Sequence, residues 1–188
     1  MIVYIHGFNS SPASFKARLV QQHLAALGRA HDFMTPELPH SPRAASQLLS
    51  DLVKRHPHAA LIGSSLGGYY ATWLAERYCL RAVLLHPAVR PYELLAGFVG
   101  RQKNLHTGDE YEFTAQHIEE MRALEVDAIT PERYLLMVET GDEVLDYRQA
   151  LERYSGAQQM VIQGGDHGFS DFSVHMGRAL QFCKVTTG

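Results

Sequence analysis

The chain is 188 residues long, 46% hydrophobic and 20% charged, with a formal net charge of −3, which fits one ordinary globular domain able to fold without staples. That balance offers no basic field for nucleic acid or for an anionic membrane surface. Cys79 and Cys183 are too few for a disulfide framework and read as reduced thiols. No apolar run approaches the ~18 residues of a membrane span, and Met1 to Ile5 is too short for a signal-peptide core. The expectation is a cytoplasmic protein that inserts into no membrane and binds no nucleic acid, with its oligomeric state left open.

The predicted elements begin with a strand, Ile2 to His6, which stops at Gly7. Ser14 is placed to cap a helix running to about Leu27, whose Phe15, Leu19, Val20 and Leu24 recur at helical spacing. A weaker strand spans about His31 to Thr35, and Pro42 opens a second helix that closes before Pro57. The apolar run from Ala59 to Ile62 reads as a buried strand, Leu66 to Tyr78 as a helix, and Arg81 to His86 as another buried strand ended by Pro87.

From Pro87 to Thr130 there is no strand signal but at least one helix, at about Thr114 to Leu124. This stretch carries Tyr92, Phe98, Tyr111 and Phe113, and so reads as a cap-like excursion from a single domain rather than a linker. Alternation then resumes with strand Tyr134–Val138, helix Tyr147–Tyr154, strand Gln159–Ile162 and helix Phe172–Cys183. Strands alternating with helices at short intervals imply right-handed crossovers and a mainly parallel six-stranded sheet in a three-layer α/β/α sandwich. Active sites of such sheets lie beyond the carboxyl ends of the strands.

One motif falls at such an end. Gly63-Ser64-Ser65-Leu66-Gly67 reads G-x-S-x-G between a predicted strand and a predicted helix, the context in which the pattern presents a serine hydroxyl on a sharp turn. Glycine spacing selects Ser65 over Ser64 as the nucleophile. A serine hydroxyl needs a base to take its proton, and the base needs an acid to fix its tautomer. In the order serine, acid, histidine, the chain offers Ser65, then Asp142 after the strand Tyr134–Val138, then His167 after the strand Gln159–Ile162.

Asp146 and Glu143 are alternates for the acid. Asp109 is weaker because no strand precedes it, Asp166 adjoins the histidine, and His175 reads as a surface residue on the last helix. Oxyanion donors are expected from the amide of Leu66, at the start of a helix, and from the amide of Phe8 in the loop after the first strand, with Asn9 the alternate. His6 reads as holding that loop. His86 and Tyr92 are candidate substrate contacts, although His86 serves equally as a core histidine. No histidine pair has ligand spacing with a carboxylate on one element, so neither a metal nor another cofactor is expected.

His6-Gly7-Phe8-Asn9-Ser10-Ser11-Pro12, Gly63-Ser64-Ser65-Leu66-Gly67-Gly68-Tyr69-Tyr70-Ala71 and His86-Pro87-Ala88-Val89-Arg90-Pro91 together resemble the YqiA-type esterases of bacteria, small members of the α/β-hydrolase superfamily. Thr140 to Tyr147 and Gly165-Asp166-His167 continue the match over nearly the whole chain. The resemblance implies a truncated α/β-hydrolase fold lacking two leading antiparallel strands, with the six strands in the order 2-1-3-4-5-6. It also implies a triad of Ser65, Asp142 and His167, and activity on carboxylic esters or acyl-CoA thioesters. In that group asparagine often stands where this chain has His86, which leaves the polarity of its pocket open. The expectation is a serine esterase working through an acyl-enzyme on a small-molecule ester. One alternative is a thioesterase that would use Arg90, Arg101 and Lys103 for nucleotide phosphates, and the other is a non-catalytic binding module on the same scaffold.

Overall fold

The computed structural model describes residues 1–104 and 106–184. Strands β1 (Ile2–Ile5), β2 (Phe33–Met34), β3 (Ala60–Ser64) and β4 (Arg81–Leu85) are followed by β5 (Gly100–Lys103), β6 (Glu110–Phe113), β7 (Tyr134–Glu139) and β8 (Gln158–Ile162). Six of them form one sheet in the order β2-β1-β3-β4-β7-β8, every neighbouring pair parallel. Counting only those six, this is the order 2-1-3-4-5-6 expected from the resemblance. Strands β1, β3 and β7 are buried along their full length, as near-continuous apolar runs in a sheet covered on both faces must be.

The helices are α1 (Phe15–Ala26), α2 (Pro42–Arg55), α3 (Leu66–Tyr78), α4 (Pro91–Leu94), α5 (Ala115–Arg122), α6 (Tyr147–Arg153) and α7 (Phe172–Phe182). Two apolar layers result from the alternation of side chains along each strand. Ile2, Tyr4, Ile62, Val83 and Leu85 pack with Val20 and Leu24 of α1 and with Phe172 and Leu180 of α7. On the other face Val3, Ile5, Leu61 and Leu84 pack with Leu49 and Val53 of α2 and with Tyr70, Ala71 and Leu74 of α3. Pro42 is the first residue of α2, and the Ser41 side chain accepts from the Ala44 amide, the capping arrangement its sequence signals.

The sheet reverses direction of growth at β1, whose Ile5 pairs with Gly63 of β3. The loop after β1 therefore emerges beside the turn that ends β3. Strand β7 runs one residue further than its apolar pattern suggested, to Glu139, which is fully buried. The stretch from 87 to 130 departs from its sequence reading. It holds the short helix α4 and an antiparallel hairpin, β5 with β6, where no strand was expected. Hairpin residues Arg101, Lys103, Glu110 and Glu112 are exposed, so the apolar alternation that betrays a strand is missing. Cys79 and Cys183 are both free thiols. Among the described residues, no helix is long and apolar enough to cross a membrane.

Candidate active site

Ser65 sits between the last residue of β3 and the first of α3 with φ 55° and ψ −121°, a conformation costly for any residue with a side chain. The surrounding backbone holds it there. Its amide donates to Leu85 at 3.0 Å, and its carbonyl accepts from Gly68 at 2.9 Å and Ala88 at 3.1 Å. The hydroxyl projects beyond the strand ends and meets His167 Nε2 at 3.2 Å. His167 Nδ1 lies 3.0 and 2.9 Å from the two Asp142 oxygens. The three residues assembled from sequence order therefore form one unbroken polar chain.

Each partner is fixed from behind. Asp142 Oδ1 accepts from the amides of Val144 at 2.8 Å and Leu145 at 2.9 Å, and the side chain is 1% exposed. Burial pushes the carboxyl up, but hydrogen bonds from His167, His86, Leu145 and Val144 outweigh it and hold the group well below the usual carboxylate range. Of the alternates, Glu143 accepts from the His167 amide at 3.0 Å, while Asp146 caps α6 through the Arg148 amide. Asp109 lies in the β5–β6 turn, accepting from Thr107, and His175 contacts Asp171 on the surface of α7 at 3.3 Å.

His86 is not a pocket residue. It is buried behind Asp142, with Nδ1 2.7 Å from Asp142 Oδ2 and Nε2 3.5 Å from Glu139 Oε2. A positive φ of 45° at the end of β4 turns it inward, where its ring packs on Phe169. Tyr92 is likewise buried, donating to Glu125 at 2.6 Å beneath the Arg122 guanidinium. It lies in the core under the insertion, which removes it from substrate contact.

The turn at Ser65 and the loop after β1 lie side by side. Leu66 is the first residue of α3, so its N–H has no acceptor within the helix. The β1 loop crosses so close that a methyl group on Gly7 would lie 3.2 Å from Ser65 Cβ, and Phe8 lines the same cavity as Ser65. The Asn9 side chain accepts from the Tyr111 hydroxyl at 2.7 Å. His6 is buried with Nδ1 3.1 Å from the Gly7 carbonyl, in keeping with a role in holding the loop. Phe8 also meets Phe98 and Phe113 edge-on. The unforeseen hairpin therefore braces the loop after β1.

Two cavities flank the serine. One of about 40 Å³ is walled by Phe8, Leu38, Leu66, Tyr70, Phe113 and Met121 together with polar His6, Asn9, His40 and Asn104. The other, about 170 Å³, is lined by Ser65, His167, Tyr4, Phe8, Ser14, Ser64 and Lys16. Two residues of this region escape a motif search. Glu139, the last residue of β7, has its carboxyl pushed up by burial, with Asp171 adding to the shift. Lys16 is 9% exposed, and burial pushes its ammonium down to about 8 despite attraction from Asp166, Glu139 and Asp142. The i, i+4, i+8 spacing of Lys16, Val20 and Leu24 does place this lysine on the buried stripe of α1.

Atoms of His86, Asp142 and His167 able to ligate a metal lie within 4.8 Å of one another. The arrangement arises from three separate elements, so no spacing rule within one element could anticipate it. Here the Asp142 carboxylate occupies the space between the two rings.

Solved structures share this architecture. Est1E from Butyrivibrio proteoclasticus superposes with a TM-score of 0.68 at 15% identity, over 96% of this chain and 84% of that one. The mouse alpha/beta hydrolase domain-containing protein 10 does so with 0.68 at 18% identity, over 98% and 87%. The fold is that of the α/β hydrolases. In sequence the chain is 26% identical to a UPF0227 protein of Citrobacter koseri over 189 aligned positions, covering 97% of this chain and 98% of that protein. The model of the uncharacterised protein family UPF0227 matches residues 1–184, so the chain belongs to that family, in agreement with the YqiA-type resemblance of its motifs.

Proposed function

We propose that the protein is a serine hydrolase that cleaves carboxylic esters through an acyl-enzyme. The observation that carries this reading is the continuous contact from Ser65 Oγ through His167 to Asp142. His167 Nε2 takes the Ser65 proton as Oγ attacks the ester carbonyl, and Asp142 stabilises the imidazolium that forms. The amides of Phe8 and Leu66 hold the developing oxyanion. Collapse breaks the ester bond, and His167 passes its proton to the departing alcohol. Water, with its proton taken by the same nitrogen, then releases the acid and restores Ser65. The esterase named among the structural neighbours has the same fold, which supports the reading at the level of reaction class.

A thioesterase would use the same machinery, but two of the three cations expected to hold nucleotide phosphates face carboxylates. Arg101 pairs with Glu110 and Arg90 with Glu93. Simple esters are therefore the leading substrate class. In Ser65→Ala, turnover of a p-nitrophenyl ester should fall by about a thousandfold or more, and labelling by a fluorophosphonate probe should disappear. Activity within tenfold of the native chain overturns the assignment. Failure of the native chain to label points to a binding module instead.

A further inference from the structure

A buried cation, Lys16, lines the cavity beside Ser65. Lys16 is 9% exposed, yet its ammonium makes one hydrogen bond, to the Gly168 carbonyl at 2.6 Å, and no ion pair among the described residues. An ammonium removed from water is costly unless a charge or a full set of acceptors meets it. Three carboxylates, Asp166, Glu139 and Asp142, attract it from farther away. Asp142 is held by His167 and His86, and Asp166 is bound to Ser170 and the Gly168 amide. Glu139 faces His86 and accepts from the Asp166 amide at 3.2 Å.

A second observation concerns Ser14, two residues before Lys16. Ser14 is the N-cap residue of α1, but its side chain caps nothing. Its hydroxyl oxygen is buried and without a partner. Lys16, Ser14, Tyr4 and Ser64 line the same space as Ser65 and His167, so an ammonium and several hydroxyls surround a volume next to the nucleophile. A neutral acyl chain would leave the ammonium and the Ser14 hydroxyl unmatched, whereas an anionic group would satisfy both.

We propose that this cavity receives an anionic group, a carboxylate or a phosphate, carried by the ester a few bonds from its scissile carbonyl. The inference rests on the esterase reading and narrows its substrate class to short esters with a charged arm. Either arm of the ester could bring the charge, so the test uses a matched pair for each. Monomethyl glutarate is compared with methyl pentanoate, and 2-acetoxyethyl phosphate with 2-methoxyethyl acetate, by kcat/KM.

The charged member of at least one pair should be preferred about tenfold or more, and the pair that shows it assigns the carboxylate or the phosphate. That preference ratio should collapse towards one in Lys16→Met and survive in Lys16→Arg. A native preference for both neutral members overturns the proposal, as does an unchanged ratio in Lys16→Met, even if overall activity falls.

Should Lys16→Met not fold, competitive inhibition of native p-nitrophenyl acetate turnover by glutarate or inorganic phosphate, weakened in Ser14→Ala, supports the site. No inhibition by either anion overturns it. If the native chain does not turn over p-nitrophenyl acetate at all, the esterase reading itself has failed. Turnover without a preference for charge defeats only the anionic subsite.

Discussion

The rim of the sheet at Ser65 and the β5–β6 hairpin above it are neighbours built by opposite means. At the rim, backbone meets backbone. The β1 loop, the β3 turn and the first turn of α3 approach so closely that side chains are excluded from the contact. The hairpin instead reaches the rim through side-chain tips: Tyr111 to Asn9, Asn104 to the Ser10 carbonyl, and Gln102 to Asn9. Its strands pair only with each other among the described residues. Close-packed backbone has no freedom to adjust, whereas a few long side chains do. Substitutions at the rim should therefore be severe and those in the hairpin graded.

The largest effect is expected at Gly67. A Cβ there would lie 2.0 Å from the Ile5 carbonyl oxygen and 2.6 Å from its carbon, and neither can move without shifting β1. Gly67→Ala should lose about 3 kcal/mol or more in urea unfolding and abolish ester turnover, because Ile5 leads directly into the Phe8 loop. A variant with native stability would show the rim to be more compliant than its geometry implies.

Asp142→Asn comes next. Its amide cannot replace a carboxylate that orients His167 Nδ1–H, so kcat should fall by up to about ten-thousandfold, the scale for a triad acid. The pH dependence has a definite sign. Burial alone would raise the Asp142 carboxyl, but its four hydrogen-bond partners hold it below its unfolded value. The stability it contributes is therefore complete above about pH 4, the ordinary unfolded carboxyl range, and is lost as pH falls below it. Denaturant unfolding should show the native chain ahead of Asp142→Asn by about 1–3 kcal/mol at neutral pH, with the gap narrowing in acid. A gap that widens in acid would contradict the assigned charge.

The same contrast explains what could be read from the chain. The central strands β1, β3, β4 and β7 announce themselves because burial on both faces demands apolar runs, and Ser65, Asp142 and His167 follow predicted strands in a diagnostic order. The hairpin stayed hidden because Arg101, Lys103, Glu110 and Glu112 face solvent and leave no alternating pattern. His86 was visible as a residue, but its burial was not. Sequence places it at a strand end near the site, and only the inward turn at φ 45° sends it behind Asp142. Tyr92 misled for a related reason, since an aromatic in an insertion can as well pack under it as line its opening. Lys16 is the most instructive omission. Its spacing with Val20 and Leu24 marks a buried lysine, and a buried lysine needs a reason.

Tyr111→Phe should give the smallest change and the finest distinction. The ring stacks on His40 with centroids 3.6 Å apart, and phenylalanine keeps that contact. Only the hydroxyl bond to Asn9 is lost, so stability should change by no more than about 1 kcal/mol. Asn9 adjoins Phe8 and has φ 51°, so releasing it loosens the loop whose amide is proposed to meet the oxyanion. An interaction that matters only as charge develops acts on kcat and leaves KM in place. The expected result is a fall in kcat of roughly two- to fivefold, under about 1 kcal/mol of barrier, with KM unchanged. A rise in KM at constant kcat would mean that Tyr111 touches the substrate directly, and the hairpin would then be part of the binding surface rather than a brace for the loop beneath it.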